Sequence, residues 1–303
     1  MVINSLFPVF FLLTLGFFLK QVRLTGDAFL KASDKLVYYI FFPALLFWKI
    51  GGSKASDGMD LTYCLVAVGA VISMMVISLL CIMLFRVHSF QAGSFSQSCY
   101  RFNTYIGMAV IINALGMEGI RYFGILISIL IPIINMYAVS SLIWLSGGRQ
   151  SFGQRLRMMI KSMVSNPLII GCVVGLVYSH YVGAFPDFLE NTFRLVTSVA
   201  LPLALLSIGG SLTLRGMTSH IKLSALSAVL KMVILPLLGY AGMRYFGVTG
   251  LPFKVSMIFF ALPTAASVYV LSSQLNSDTD LASASIVVST LFSFLSLTIA
   301  ILL

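Results

Sequence analysis

The chain has 303 residues, of which 59% are hydrophobic and 9% are charged, and its mean hydropathy is +1.02. Soluble domains carry roughly a quarter charged residues, so this composition excludes a soluble enzyme or binding domain and predicts an integral membrane protein in a lipid bilayer. The net charge of +10 at pH 7 is spread over short loops, which argues against a nucleic-acid partner.

Ten segments of the chain are predicted to be membrane-spanning helices. A helix needs about 20 apolar residues to cross a hydrocarbon core of roughly 30 Å. The fold class that follows is an all-α integral membrane protein. In chain order the predicted spans are residues 2–19, 36–50, 61–85, 91–115, 120–145, 162–182, 192–214, 221–243, 254–275 and 281–303.

The basic residues predict how these helices are oriented. Lys20, Arg23, Lys31 and Lys35 follow the first span, and four more basic residues follow the fifth, so the positive-inside rule places both loops in the cytoplasm. Arg101 is assigned to the same side. Both termini are therefore expected on the non-cytoplasmic side, and the compact loops favour a bacterial inner membrane.

The two halves of the chain are related by a shift of 159 positions. Each half holds five spans, an odd number, so the second half must enter the bilayer from the opposite side, as in the inverted repeats of many secondary transporters. We expect a first repeat over 1–145, a cytoplasmic loop over 146–161 and a second repeat over 162–303. The residues that match include Pro8 with Pro167, Gly16 with Gly175, Pro43 with Pro202 and Gly51 with Gly210.

The fourth and ninth spans are interrupted at equivalent positions. Polar residues 101–104 interrupt the fourth span, and Pro263, which the shift relates to Thr104, stands near the middle of the ninth. An ordinary kink would explain either break alone. Two breaks that meet would expose peptide groups that need a partner inside hydrocarbon, and they would direct half-helix N-termini at one point, which suits a carboxylate.

The polar and small residues near the breaks are the candidate substrate contacts, although any one of them could instead bond a neighbouring helix. The candidates are Asn103, Thr104, Tyr105 and Gly107 at the first break, Pro263, Thr264 and Ser267 at the second, and Asn135 and Tyr137 in the fifth span.

Lys231 lies halfway along the eighth span, where a charge is costly and functional by default. It could replace a cation beside the carbonyl-rich ends of the broken helices, pair with an anionic substrate, or reach an aqueous crevice. The nine acidic residues all fall in loops or at helix ends, so a mid-membrane carboxylate for a coupling ion is missing. We expect transport without sodium and no metal or other cofactor.

Five stretches of the sequence resemble the auxin efflux carrier family, which includes plant auxin exporters and bacterial permeases for malonate, malate and similar acids. The stretches are residues 8–16, 101–107, 165–175, 203–209 and 261–265, the last with the trailing Asp278.

This resemblance implies crossed helices four and nine, a scaffold of helices one, two, six and seven, and a moving transport domain of helices three to five and eight to ten. It also implies elevator-type alternating access and a homodimer formed through the scaffold. Asn103 matches the family's substrate-contacting asparagine, and Pro263 matches the crossing proline. Ala109 stands where members usually have another proline.

The sequence therefore predicts a secondary transporter of small organic anions such as mono- or dicarboxylates. A sodium-coupled organic-anion symporter of the bile-acid type is an alternative, but it expects acidic or dense amide ligands at the crossing. A membrane receptor or sensor is the alternative of another class. An enzyme is not expected, because His88, His180 and His220 lie near helix ends without a paired base or metal motif.

Overall fold

The structure, a computed structural model, describes residues 2–52, 61–145, 164–212, 217–274 and 276–303 together with Gly153 and Arg157. The fold is 86% helix and has no strand among these residues, which confirms the all-α prediction. In chain order the helices are α1 (Val2–Gln21), α2 (Asp27–Leu36), α3 (Phe42–Gly51), α4 (Thr62–Leu84), α5 (Ser89–Tyr100), α6 (Thr104–Leu145), α7 (Pro167–Tyr181), α8 (Asp187–Ser198), α9 (Ala200–Ser211), α10 (Met217–Val229), α11 (Leu235–Tyr245), α12 (Gly250–Phe260), α13 (Ser267–Gln274) and α14 (Thr279–Leu302).

Two junctions between helices are π-helical turns. Val37–Phe41 joins α2 to α3, and Leu230–Ile234 joins α10 to α11. A proline, Pro43 or Pro236, is the second residue of the helix that follows each turn. The proline ring lacks an N–H and crowds the preceding turn, so a widened turn relieves the contact and lets the helix continue.

Six segments within the described ranges are long and apolar enough to cross a membrane. Helices α7 and α12 are apolar but have only 15 and 11 residues. One of the six segments covers both the fourth and the fifth predicted spans, so the assignment of ten spans remains a prediction. The six are Val2–Gln21, Thr62–Leu84, Ser89–Leu142, Asp187–Ser211, Ser219–Tyr245 and Thr279–Leu302.

Helix α6 changes direction at Gly116, between the predicted fourth and fifth spans. The backbone of Gly116 (φ 69°, ψ −157°) lies in a region that only glycine adopts without strain. Gly116 therefore separates two helical segments of α6, within the connection expected over residues 116–119. Of the predicted cytoplasmic loop 146–161, the structure describes only Gly153 and Arg157.

Two helix pairs pack with their backbones in close contact at glycines. Helix α1 packs on α9, and α3 packs on α7. A Cβ atom on Gly16 would collide with the carbonyl group of Leu206, and one on Gly175 would lie 3.2 Å from the carbonyl oxygen of Phe47. The shift of 159 positions relates these contacts, because it converts Gly16 into Gly175 and Phe47 into Leu206.

Candidate functional site

The two helix breaks are in direct contact. The first separates α5 from α6 at residues 101–103, where Arg101 has extended backbone angles (φ −70°, ψ 138°). The second separates α12 from α13 at residues 261–266. The backbone N–H of Asn103 donates a hydrogen bond of 2.9 Å to the carbonyl oxygen of Pro263. This bond pairs a backbone N–H group of the first break with a backbone carbonyl group of the second.

Asn103 is buried and caps the helix that follows it. Its side-chain oxygen accepts hydrogen bonds from the backbone N–H groups of Tyr105 (3.1 Å) and Ile106 (3.2 Å). This N-cap geometry satisfies donors that have no partner within the helix. Because the cap occupies the oxygen, a ligand could use only the amide nitrogen of this side chain.

The first break also holds a cation that sequence reasoning assigned elsewhere. Arg101 is only 9% exposed, so its placement among the cytoplasmic loop charges is wrong. Its guanidinium donates to Oε1 of Gln97 (3.2 Å), Oδ1 of Asn135 (3.0 Å) and Oγ of Ser267 (3.1 Å). Two of the predicted contacts, Asn135 and Ser267, are therefore brought together by a residue that was not among the candidates.

The three hydrogen-bond partners of Arg101 are all neutral. The ion pairs within the described ranges are Lys20 with Asp27 and His220 with Asp278, and neither includes Arg101. A buried cation without a counter-ion is costly, by several kcal/mol, unless an anion compensates it. Ser267 is exposed, so the cluster reaches the surface of the protein at this residue.

The second break is tied to its neighbours by Thr264. The backbone N–H of Thr264 donates to Oγ of Ser289 (3.0 Å), and its hydroxyl donates to the carbonyl oxygen of Ser98 (3.0 Å). The residue is 1% exposed. Its polar groups are therefore used within the protein, where they hold the second break against α5 and α14.

The aromatic candidates make contacts away from Arg101. Tyr105 stacks on Phe42 with ring centroids 4.7 Å apart, and Thr104, the first residue of α6, is half-buried. Tyr137 donates its hydroxyl to the carbonyl oxygen of Met75 (3.1 Å), which directs it toward α4. These contacts give Tyr137 a packing role in the structure.

Gly107 lies inside α6 rather than at the break. A Cβ atom at this position would lie 2.6 Å from Cζ of Phe123 and 2.7 Å from Cδ1 of Leu262. The absence of a side chain therefore lets α6 approach the second break closely.

Lys231 lies in the π-helical turn between α10 and α11 and is fully buried. Its Nζ atom has no hydrogen-bond partner and lies 5.9 Å from the ring centroid of Phe259. The complete burial contradicts the alternative in which Lys231 reaches an aqueous crevice. The structure shows no contact between Lys231 and Arg101.

A polar cluster joins the N-terminal ends of α5, α10 and α14. Oδ1 of Asp278 caps α14 by accepting from the backbone N–H groups of Asp280 (3.0 Å) and Leu281 (2.9 Å). Its Oδ2 accepts from Nε2 of Gln91 (3.3 Å) and lies 3.8 Å from Nδ1 of His220. Asp278 is therefore engaged locally as a cap, although its side chain is only 8% exposed.

An apolar cavity of 410 Å³ lies between α1, α3, α6, α8 and α9. Leu45, Trp48, Ala109 and Ile112 contribute to its wall, and Arg194 is its charged residue. None of the predicted substrate contacts lines it. Ala109 and Ile112 do follow Tyr105 at helical spacing, so the cavity lies along a face of α6 that leads from the first break.

Comparisons with known proteins identify the family. The membrane transport protein family matches residues 148–301, just over half of the chain. An uncharacterized transporter of Methanocaldococcus jannaschii is 21% identical over 294 residues, which cover 95% of this chain and 94% of the relative. An uncharacterized transporter of Methanothermobacter thermautotrophicus is 23% identical over 302 residues, which cover 97% and 95%. The chain therefore belongs to the membrane transport protein family, that of the auxin efflux carriers, and is a multi-pass membrane transporter.

Proposed function

We propose that this protein is a secondary transporter of small organic anions, such as mono- or dicarboxylates, and that Arg101 binds the substrate carboxylate. The observation that carries the proposal is the buried guanidinium at the contact between the two breaks, whose three hydrogen-bond partners among the described residues are neutral. A carboxylate can accept two parallel hydrogen bonds from a guanidinium, a geometry that other anchors do not match. Nη2 of Arg101 donates to both Asn135 and Ser267, so a carboxylate bound in this way would take the place of the exposed Ser267 hydroxyl, while Asn135 would keep the guanidinium oriented.

The positive charge at the two breaks favours transport of organic anions over the alternative function, that of a sodium-coupled symporter. A sodium-coupled symporter needs oxygen ligands that attract a cation, whereas Arg101 places a positive charge at this point. The N-terminus of α6, which begins beside Arg101, adds partial positive charge of the same sign. Both features favour an anion, so the electrostatics support anion transport over sodium binding at the contact between the breaks.

The transport mechanism is alternating access by a ten-helix inverted repeat. In this arrangement α1, α2–α3, α7 and α8–α9 form the scaffold, and the remaining helices form a transport domain around crossed breaks. The two glycine contacts support the repeat, because Gly16 with Leu206 and Gly175 with Phe47 pair opposite halves of the chain in an equivalent way. Such an exchange of partners is what a pseudo-twofold axis produces.

The exposed apolar face of α7 is the surface through which a homodimer would form. Ile170, Val173, Val174 and Val177 recur at helical spacing on this face, and each is about half exposed. In a cell membrane, with both termini on the non-cytoplasmic side, this face would lie at the bilayer-embedded dimer interface of the scaffold.

A ligand screen tests the proposed function. We expect purified protein to be stabilised by one or more small carboxylates, because a ligand that binds only the folded state raises the melting temperature increasingly as its concentration exceeds its Kd. A ligand present at about 100 times its Kd would add about 2.7 kcal/mol of stability. The same acid should then exchange across liposomes that contain the protein. Uniform indifference to organic acids, with stabilisation by sodium alone, would contradict the proposal.

Asn103 allows capping and substrate binding to be separated. Asn103→Asp should keep the melting temperature within a few degrees of wild type, because Asp caps helices about as well as Asn. It should nevertheless weaken anion binding, since it adds a negative charge beside Arg101. Asn103→Ala should lose about 1 kcal/mol of stability through the lost cap. Melting temperatures and anion titrations on both variants check this, and unchanged affinity in Asn103→Asp would count against a site at the first break.

A further inference from the structure

We infer that α2 lies at the membrane surface and binds the headgroups of anionic phospholipids through Lys31 and Lys35. The inference concerns a surface away from the two breaks and does not depend on the proposed anion transport. Helix α2 follows α1, which is long and apolar enough to cross a membrane. With Lys20 and Arg23, four basic residues lie between the last turn of α1 and the end of α2. A basic cluster of this size directly after a membrane span is typical of segments that bind anionic lipids.

One side of α2 packs against the rest of the protein. Leu30 and Ser33 are the buried residues of this helix. A Cβ atom on Gly210 of α9 would lie 2.9 Å from the Leu30 side chain, so α2 and α9 are in close contact there. Ser207, also on α9, donates its hydroxyl to the backbone carbonyl oxygen of Leu30 (3.2 Å). Because α9 holds this side of the helix, the other sides of α2 face the surroundings in a fixed orientation.

The side of α2 next to the buried residues is apolar and exposed. At about 100° per residue, Phe29, Ala32 and Leu36 fall on one side of the helix. All three are exposed, with Phe29 at 48% and Leu36 at 44%. An exposed apolar side on a helix that also has a charged side is what an interfacial helix inserts into the boundary between headgroups and acyl chains. This side of α2 is therefore suited to contact with lipid chains.

The lysine side chains follow the apolar side around the helix. Lys31 and Lys35 are one turn apart, both are exposed, and neither forms a salt bridge with a residue in the described ranges. The acidic residues of α2, Asp27 and Asp34, lie beyond the lysines, on the side away from the apolar residues. Asp27 forms its salt bridge with Lys20 (2.8 Å). Two ammonium groups beside a lipid-facing side are complementary to the phosphate of an anionic headgroup.

The corresponding helix of the second half differs in charge. The shift of 159 positions relates α2 to α8, which also exposes large apolar residues, Phe188 and Leu195. The charged residues of α8 are Asp187, Glu190 and Arg194, two acids and one base. The repeat therefore has an amphipathic helix at both places but a pair of lysines free of salt bridges only on α2. We assign headgroup binding to α2 alone.

Replacing both lysines tests the assignment. Purified full-length protein in a nonionic detergent would be titrated with phosphatidylglycerol, or with phosphatidylcholine of the same acyl chains, and its melting temperature measured. We expect phosphatidylglycerol to stabilise wild type more than phosphatidylcholine does, because lipid that binds the folded state raises its stability. The double variant Lys31→Gln with Lys35→Gln should bind phosphatidylglycerol about 30-fold more weakly. Each lysine near an anionic membrane surface contributes about 1 kcal/mol, and about 1.4 kcal/mol corresponds to tenfold in affinity.

Two double variants and one soluble anion serve as controls. Arg244→Gln with Lys254→Gln removes the same charge from exposed positions on α11 and α12, and should respond to phosphatidylglycerol as wild type does. Lys31→Arg with Lys35→Arg keeps the charge on α2 and should also keep the response. Glycerol 3-phosphate carries a phosphate but no acyl chains, so it cannot use the apolar side of α2 and should leave the wild-type melting temperature unchanged.

Several results would overturn the inference. Equal stabilisation of wild type by the two lipids would show that α2 does not select anionic headgroups. An unchanged response in the double glutamine variant of α2, or an equal loss in the Arg244 and Lys254 control, would show that the two lysines are not the binding groups. Stabilisation by glycerol 3-phosphate to the same extent would identify a soluble phosphate instead of a lipid as the ligand. No carboxylate is used, so these outcomes are independent of the proposed transport function.

Discussion

Arg101→Gln should abolish most carboxylate binding while leaving the ligand-free protein at least as stable as wild type. Truncating one partner of a buried, hydrogen-bonded charge pair costs about 2–5 kcal/mol of binding, which corresponds to a loss of at least roughly 30-fold in affinity. In the ligand-free state the guanidinium is buried and forms no ion pair with the part of the chain that the structure describes, so its removal relieves a desolvation penalty. Glutamine can still bond Asn135 or Ser267.

The measurement pairs a carboxylate titration with a thermal melt in the absence of ligand. Arg101→Lys serves as the first control, because it keeps the charge but loses the planar fork, and we expect an intermediate affinity. Lys222→Gln, an exposed position on α10, serves as the second control and should behave as wild type. It removes one positive charge from the protein without changing the breaks.

The combination of the two readouts decides the role of Arg101. A purely structural arginine would lower the melting temperature on substitution and would weaken binding only as far as the fold is perturbed. A binding arginine lowers affinity without that loss. If Arg101→Gln melts well below wild type and its folded fraction binds carboxylate with normal affinity, the assignment of Arg101 as the substrate anchor is wrong.

The helix breaks can be predicted from the sequence, because the residues that end or begin a helix act on the backbone within about one turn. Pro263 cannot continue a helix wherever it is placed, and Asn103 is a strong capping residue directly before a helical run. Both effects depend on residues within one turn. The structure accordingly places the breaks at 101–103 and 261–266, where sequence reasoning expects them.

Sequence analysis did not identify Arg101 as a candidate contact, because the pattern of charges along a sequence does not indicate how deep a residue lies in the bilayer. An arginine beside polar residues resembles the end of a loop, and the positive-inside rule then assigns it to the cytoplasm. The available signal was that apolar residues resume directly after Thr104, so the polar stretch is too short to be a loop. The guanidinium bonds Asn135 and Ser267, which are 34 and 166 positions away in the chain, so neither partner could be identified from the sequence around Arg101.

The roles of individual candidates also depend on long-range packing. Tyr137 bonds Met75 on another helix, and Gly107 is required by Phe123 and by Leu262 from the other half of the chain. Neither contact follows from composition or spacing. Whether a helix spans the membrane also depends on the helices around it. Helices α7 and α12 are too short to be assigned as spans by length alone, and only their packing against neighbouring helices supports that assignment.

Gly16→Ala should be among the most destabilising single substitutions in the chain. The added Cβ would occupy the position of the Leu206 carbonyl group, and a backbone carbonyl cannot rotate away as a side chain can. Overpacking of this kind costs about 1–3 kcal/mol when neighbours can adjust, and the backbone contact places this site at or above the upper end. Gly175→Ala, which meets Phe47 at 3.2 Å, should cost less.

Gly69→Ala is the matched control, because this glycine also lies within a helix but a Cβ atom there meets nothing within 4 Å. Alanine favours helix over glycine by about 1 kcal/mol, so this variant should melt at or above the wild-type temperature. Thermal melts of the three variants in one detergent give the ranking. If Gly16→Ala melts with Gly69→Ala, then α1 and α9 can separate at little cost, and the close packing at Gly16 would no longer support a rigid scaffold.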